Sequence, residues 1–175
     1  SPPPEREEAG SPNVVGAVAL AAAIRQLQSL GMHEVARHEA DLTSYALRKL
    51  ASLPEIKTYG DANPSKAEDR LGVIPLQITN VPHFLAAAVL GYEFGIGVRS
   101  GCFCAHPYIL HLLGLSRGEA ALVRQRMMAG DKSEMPGLIR ASFGLYNTLD
   151  EVDALVEALH RISAGEYQGK YSQDK

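Results

Sequence analysis

The stretch Arg99-Ser100-Gly101-Cys102-Phe103-Cys104-Ala105-His106-Pro107 holds both cysteines of the chain. Two thiols one residue apart, an arginine before them and a histidine after, have four uses: metal hook, disulfide, nucleophile or packing. A structural zinc site asks for four Cys or His ligands. His106 offers a third here and no fourth is evident, so no metal is expected. A disulfide between positions two apart is strained and rare. Buried, inert cysteine is one remaining reading. The other is an exposed thiol beside a cation, whose lowered pKa yields the nucleophilic thiolate. The glycine turn and Arg99 speak for the second, and the residues alone leave the two balanced.

The segment Leu138-Ile139-Arg140-Ala141-Ser142-Phe143 adds weight to chemistry. Arg140 interrupts an apolar strand pattern. A guanidinium there is costly unless it grips an anion, and arginine holds a carboxylate bidentately. The bland alternative is an ion pair with Glu151 or Asp153. Other motifs fall away. His33 and His38 are five residues apart rather than four, so they do not share a helix face as a zinc-protease pair must. Gly95 to Gly101 imitates a nucleotide-binding turn, but its third glycine comes one residue late and no helix follows at once. His83, His111 and His160 have no partner that the sequence identifies.

Composition bounds the protein class. The 175 residues suit one domain with a real core. Apolar residues make up 46% and charged residues 21%, ordinary values for a globular chain. A net charge of −3 and a pI near 6.1 give no electrostatic case for nucleic acid. The longest apolar run, Val14 to Ile24, is too short for a membrane span of about 20 residues. It also follows the acidic stretch Glu5 to Glu8, the wrong flank for a signal peptide. A membrane partner is therefore not expected, and a Cys-x-Cys without further cysteines points to a reducing cytoplasm.

The elements that must position these residues follow from periodicity. Residues 1–12 read as an irregular lead-in, 13–165 as the folded domain and 166–175 as a frayed polar tail. Ser11-Pro12-Asn13 signals a helix start, and Val14 to Leu30 has helical spacing and small residues suited to close packing on both sides. Gly31 stops it, and a second helix runs from about Met32 to Leu53. Ile56 to Tyr59 is β-like, and Asp61 to Arg70 is a polar loop. Val73 to Thr79 alternates as a strand; Pro75 either argues against that assignment or places the strand near an edge. Pro82 opens a helix through Tyr92, and Ile96 to Arg99 is a strand delivering the cysteine loop. Pro107 to Leu113 is helical. Ser116-x-x-Glu119 and Thr148-x-x-Glu151 are capping boxes for two further helices, and Leu138 to Leu145 is a strand between them. The fold class is α/β, α+β-like: a small mixed or antiparallel sheet covered by helices.

Four segments in this order resemble the C-terminal part of class V aminotransferase-fold enzymes that use pyridoxal phosphate. They are Glu8 to Asn13, Val98 to Ala105, Arg140 to Phe143, and Leu145 to Glu151. Cysteine desulfurases and selenocysteine lyases are the members most similar. The resemblance implies that Cys104 is the persulfide-forming cysteine and that Arg140 holds the substrate α-carboxylate. It further implies that Arg99 assists with charge and that Ser11 reaches the cofactor phosphate of a partner subunit. Asn147 and Thr148 are implied to be structural. Cys102-Phe103 stands where many members have His-His, and Gly-Cys-Phe-Cys also resembles sulfurases acting on molybdenum cofactor. Ser116 to Gly137 is longer than in compact members.

None of the six lysines sits in a motif like the family's Schiff-base segment. The resemblance places that lysine in a large N-terminal domain ahead of this chain. The expectation is thus the small domain of a fold-type I enzyme, inactive alone, that in its full-length homodimer converts an amino-acid substrate, cysteine, to alanine with a persulfide left on the protein. The alternatives are another class V transaminase, lyase or epimerase, or a non-catalytic interaction domain with the same fold.

Overall fold

The computed structural model describes residues 2–131, 133 and 135–172. They form two compact units, one up to His38 and one from Glu39 onward.

The first unit holds a short 3-10 helix at Glu5–Glu7, α1 at Val14–Leu30 and the start of α2, Met32–Leu50. The cap of α1 is Asn13, whose side chain accepts from the Gly16 amide at 2.8 Å. Pro12 therefore lies before the cap and not in the first turn. Gly31 ends α1 with a positive φ of 88°, a conformation that glycine adopts without a Cβ penalty. Contrary to the expected packing on both sides, α1 buries no residue. Val15 is 81% exposed. His33 is exposed on α2 and His38 is half-buried.

The second unit is built on a sheet of four strands, β1 (Ile56–Thr58), β2 (Val73–Ile78), β3 (Arg99–Gly101) and β4 (Leu138–Ser142). Their order is β1-β2-β4-β3 and every pairing is antiparallel. The register puts Ile56, Ile74, Leu76, Ile78, Ile139 and Ala141 on one face, because alternate residues of paired strands share a face. That face is buried under α2, α3 (His83–Phe94) and α6 (Leu149–Ser163), whose Leu50, Val89, Leu90, Val152 and Leu159 complete the core. The opposite face carries Lys57, Gln77, Arg140 and Arg99. It is covered in part by a smaller cluster of Tyr59, Cys102, Ile109 and Leu138, the third from α4 (His106–Leu112).

Several expectations shift. Pro75 lies in β2, one strand in from the edge strand β1 and just past the end of the β1 ladder. Its carbonyl accepts from the Tyr59 amide at 2.9 Å. A strand residue points its N and O to the same side, so the missing N–H faces the place where β1 stops at Thr58. The proline thus ends the β1 pairing without disturbing β4. The strand expected at Ile96 to Arg99 begins at Arg99 instead, and β4 ends at Ser142. Both capping boxes form: the Ser116 and Thr148 hydroxyls accept from the amides of Glu119 and Glu151, which return the bond to the cap amides. They start α5 (Arg117–Met128) and α6.

The tail is docked, not frayed, as far as Tyr171. Glu93 at the end of α3 accepts from the Gln168 and Gly169 amides at 2.9 and 2.8 Å and from the Tyr171 hydroxyl at 2.8 Å. Tyr167 and Tyr171 pack on the core. Residues 173–175 of the expected tail lie outside the described residues. No single helix among the described residues is long and apolar enough to cross a membrane.

Candidate functional site

The site is built where β3 meets β4. Arg99 and Arg140 are direct cross-strand partners, so two guanidiniums stem from one face of the sheet at neighbouring positions. Like charges directly opposite destabilise a strand pair. Arg140 is half-buried, and its Nε is buried without a hydrogen-bond partner. The ion-pair alternative fails, because Asp153 is engaged by Lys49 at 2.9 Å and by the Tyr45 hydroxyl. Glu151 is engaged by Asn147 and the Thr148 amide. A buried donor left open beside a second cation is the signature of a place for an anion.

The thiol loop leaves β3 directly after this pair. The Ala105 amide donates to the Cys102 carbonyl at 2.8 Å. That bond closes a four-residue turn whose two central residues, Phe103 and Cys104, have φ of 52° and 58°. Primed turns of this kind favour Asn and Gly. A non-glycine residue in the left-handed region costs on the order of 1–2 kcal/mol. Such strain concentrates at functional loops. The turn separates the two thiols, both of which are free. Cys102 is buried, donates its S–H to the Pro136 carbonyl at 3.1 Å, and is pushed up in pKa by burial. Cys104 is exposed at the tip. The Phe103 ring lies 5.1 Å from the Arg140 guanidinium carbon, so the turn and the arginine are held side by side. Of the two thiols, one is thus buried and the other exposed.

Of the residues expected at the site, the fold thus gathers Cys104, Arg140 and Arg99. Ser11 is exposed in the first unit, two residues ahead of the α1 cap. The longer stretch Ser116 to Gly137 supplies α5, and an apolar groove of about 1030 Å³ between α4 and α5 opens beside Cys102 and Pro136. Among the described residues no group of three or more His, Cys, Asp or Glu is placed to hold a metal ion. The sequence alone gives Phe103 no role and identifies no partner for His83. His83 is buried, with Nε2 2.9 Å from the Met135 carbonyl oxygen. The only sequence trace of its role is its place directly after the helix-opening Pro82.

Residues 1–155 match the sequence profile of the aminotransferase class V family. The chain belongs to that family. Cysteine desulfurases of Escherichia coli O127:H6 and Serratia proteamaculans are 34% and 35% identical to it over 159 and 160 residues, 91% of this chain. The chain spans 32% of the length of those relatives. Among solved structures, the apo cysteine desulfurase of Thermococcus onnurineus NA1 superposes with a TM-score of 0.71 at 32% identity, over 94% of this chain and 35% of that one. The Escherichia coli desulfurase CsdA gives 0.67 at 27% identity, over 92% and 33%.

Members of the aminotransferase class V family depend in general on pyridoxal phosphate, which is anchored by a lysine Schiff base and acts as an electron sink. Three of the described lysines have partners of their own. Lys49 pairs with Asp153, Lys66 with Asp61 at 3.1 Å, and Lys57 lies 4.8 Å over the Tyr59 ring. Lys170 is on the tail, and Lys132 and Lys175 lie outside the described residues. The donors around the turn are a thiol and two guanidiniums. They do not fit the cofactor's anchor; the guanidiniums fit an anion such as a carboxylate.

Proposed function

We propose that this chain is the small domain of a cysteine desulfurase whose cofactor anchor lies in a separate large domain, within a homodimeric, cytoplasmic enzyme. The observation that carries this reading is the exposed Cys104 at the tip of a strained turn that is packed, through Phe103, on an arginine with an unsatisfied buried donor. Arg140 takes the α-carboxylate of the substrate, with Arg99 adding charge, and thereby turns the substrate sulfur toward the loop. The Cys104 thiolate attacks that sulfur. A sulfur–sulfur bond forms, the carbon–sulfur bond breaks, and the carbon takes a proton, so that cysteine and a thiol become alanine and a persulfide. Ser11, exposed ahead of α1, is assigned to the cofactor phosphate of the partner subunit, an anion suited to a hydroxyl near a helix start.

In the full-length enzyme, Cys104→Ala and Arg140→Ala are expected to fail at different points. Arg140→Ala removes a charged hydrogen-bond partner worth about 1.5–3 kcal/mol, roughly ten- to a hundredfold in substrate affinity. Cys104→Ala leaves substrate binding near normal and abolishes sulfide release. Substrate titration of the absorbance of the loaded enzyme reads the first, and a sulfide assay reads the second. Sulfide release at the native rate by Cys104→Ala would replace this reading with a lyase or transaminase that shares the fold.

A further inference from the structure

Cys102 and His83 have no part in the chemistry above, yet each is a buried polar group with a defined partner. Cys102 Sγ donates to the Pro136 carbonyl, and His83 Nε2 meets the Met135 carbonyl. A carbonyl only accepts, so His83 carries its proton on Nε2. Its Nδ1 is buried without a partner, and burial holds its pKa down. Two adjacent carbonyls are thus gripped, one from α3 and one from the thiol loop. The next residue, Gly137, passes so close that a Cβ there would lie 2.6 Å from His83 Nε2 and 2.7 Å from Gly101 Cα. Met135 to Gly137 therefore forms a strap pressed between the His83 ring and the backbone of β3.

The strap lies where the sheet stops helping. The β3–β4 ladder ends at Gly101 opposite Leu138. Beyond that pair one chain enters the thiol turn and the other runs back toward α5, with no further ladder pair between them. The turn has one internal hydrogen bond and two left-handed non-glycine residues. Such a conformation persists only where its surroundings over-determine it.

We infer that Cys102 and His83 are positioning residues that clamp the strap Met135–Gly137 against the base of the turn and so hold Cys104 in its exposed presentation. Neither touches the substrate. That Cys104 is the reacting thiol rests on the desulfurase reading; that its presentation depends on the clamp does not.

The test compares substitutions that keep or lose each bond. Cys102→Ser retains a donor toward Pro136 and Cys102→Ala does not, and in both Cys104 is the sole thiol. His83→Gln retains an N–H near the position of Nε2, whereas His83→Phe retains a ring without a donor. Alkylation of Cys104 by iodoacetamide in this chain is expected to slow about fivefold or more in Cys102→Ala and His83→Phe, and to stay within about twofold of native in Cys102→Ser and His83→Gln. In the full-length enzyme the first two variants are expected to lower kcat for sulfide release by a similar factor of about five while KM for cysteine is unchanged, since the Arg140 grip is intact. Rescue by serine and glutamine separates positioning from filling of space. Equal alkylation rates for Cys102→Ser and Cys102→Ala, with equal rates for the His83 pair, would overturn the inference even if Cys104→Ala still abolished sulfide release. A clear split in alkylation together with normal sulfide release by Cys104→Ala would sink the desulfurase reading and leave the clamp standing.

Discussion

The two faces of one four-stranded sheet have been put to opposite uses. On one face Ile56, Ile74, Leu76, Ile78, Ile139 and Ala141 are all below a tenth exposed and meet side chains of three helices. On the other, the same strands at the alternate positions present Lys57, Gln77, Arg140 and Arg99, and only a small cluster around Leu138 and Cys102 is buried. The first face holds the fold together by removing apolar area from water. The second tolerates paired like charges, a buried unsatisfied Nε and a strained turn. Each of these lowers stability, and each is affordable only because the opposite face supplies it. The difference teaches that core-forming and charge-bearing positions are separated here by the period of two along a strand, a distance of one residue.

The largest effect that bears on this comparison is expected from the covered face. Leu159 is fully buried in α6. Leu159→Ala should cost about 2–5 kcal/mol, the range for a leucine cavity in a packed core. Urea denaturation of the chain measures it, and alkylation of Cys104 under native conditions should be unchanged. A large change in alkylation would mean that the faces are not independent.

A smaller effect is expected from Arg140→Ala. The substitution removes an unsatisfied buried donor and relieves repulsion with Arg99, against some lost packing on Phe103. The unsatisfied donor costs about 1–3 kcal/mol and the other terms are each within about 1 kcal/mol, so the urea midpoint should hold or rise. A loss of several kcal/mol would make Arg140 a structural residue and erase the contrast between the faces.

The smallest effect concerns the rim of the covered face, where the tail docks. The Glu93 carboxyl is held below its ordinary value of 4.5 chiefly by the Gln168 amide, then by the Gly169 amide and the Tyr171 hydroxyl. A carboxyl lowered in the folded state contributes above its unfolded pKa, and that contribution is lost as pH falls through the folded value. The tail should therefore be fully docked at neutral pH and begin to release only below 4.5. The Tyr171 hydroxyl, pushed up to about 12 chiefly by burial and then by Glu93, sets the alkaline limit. Its contribution is full below its ordinary value of 10.0 and is lost as pH rises toward 12. Amide exchange at Gln168 and Gly169 across both limits measures this, and Glu93→Gln should remove the acid transition. Persistence of that transition in Glu93→Gln would assign it to another carboxylate.

Local signals determined much of this protein by themselves. Thr148-x-x-Glu151 and Ser116-x-x-Glu119 formed the capping boxes that their spacing demands, because the partners lie within one helical turn. Gly31 stopped α1 for an equally local reason, its positive φ. The pattern of β2 showed which residues face the core, and the order of motifs showed the family. What the tertiary structure decided were relations between distant residues. Pro75 occupies an interior strand because its missing donor faces the end of β1, a fact that requires the neighbouring strand. The tail is docked because Glu93, some 75 residues earlier, offers a carboxylate to its amides. Cys102 and Cys104 are two residues apart in the chain, and no local rule separates a buried thiol from an exposed one. The separation comes from a turn with two positive φ angles and from a carbonyl 34 residues further on, that of Pro136, which draws Cys102 inward while Cys104 stays in solvent.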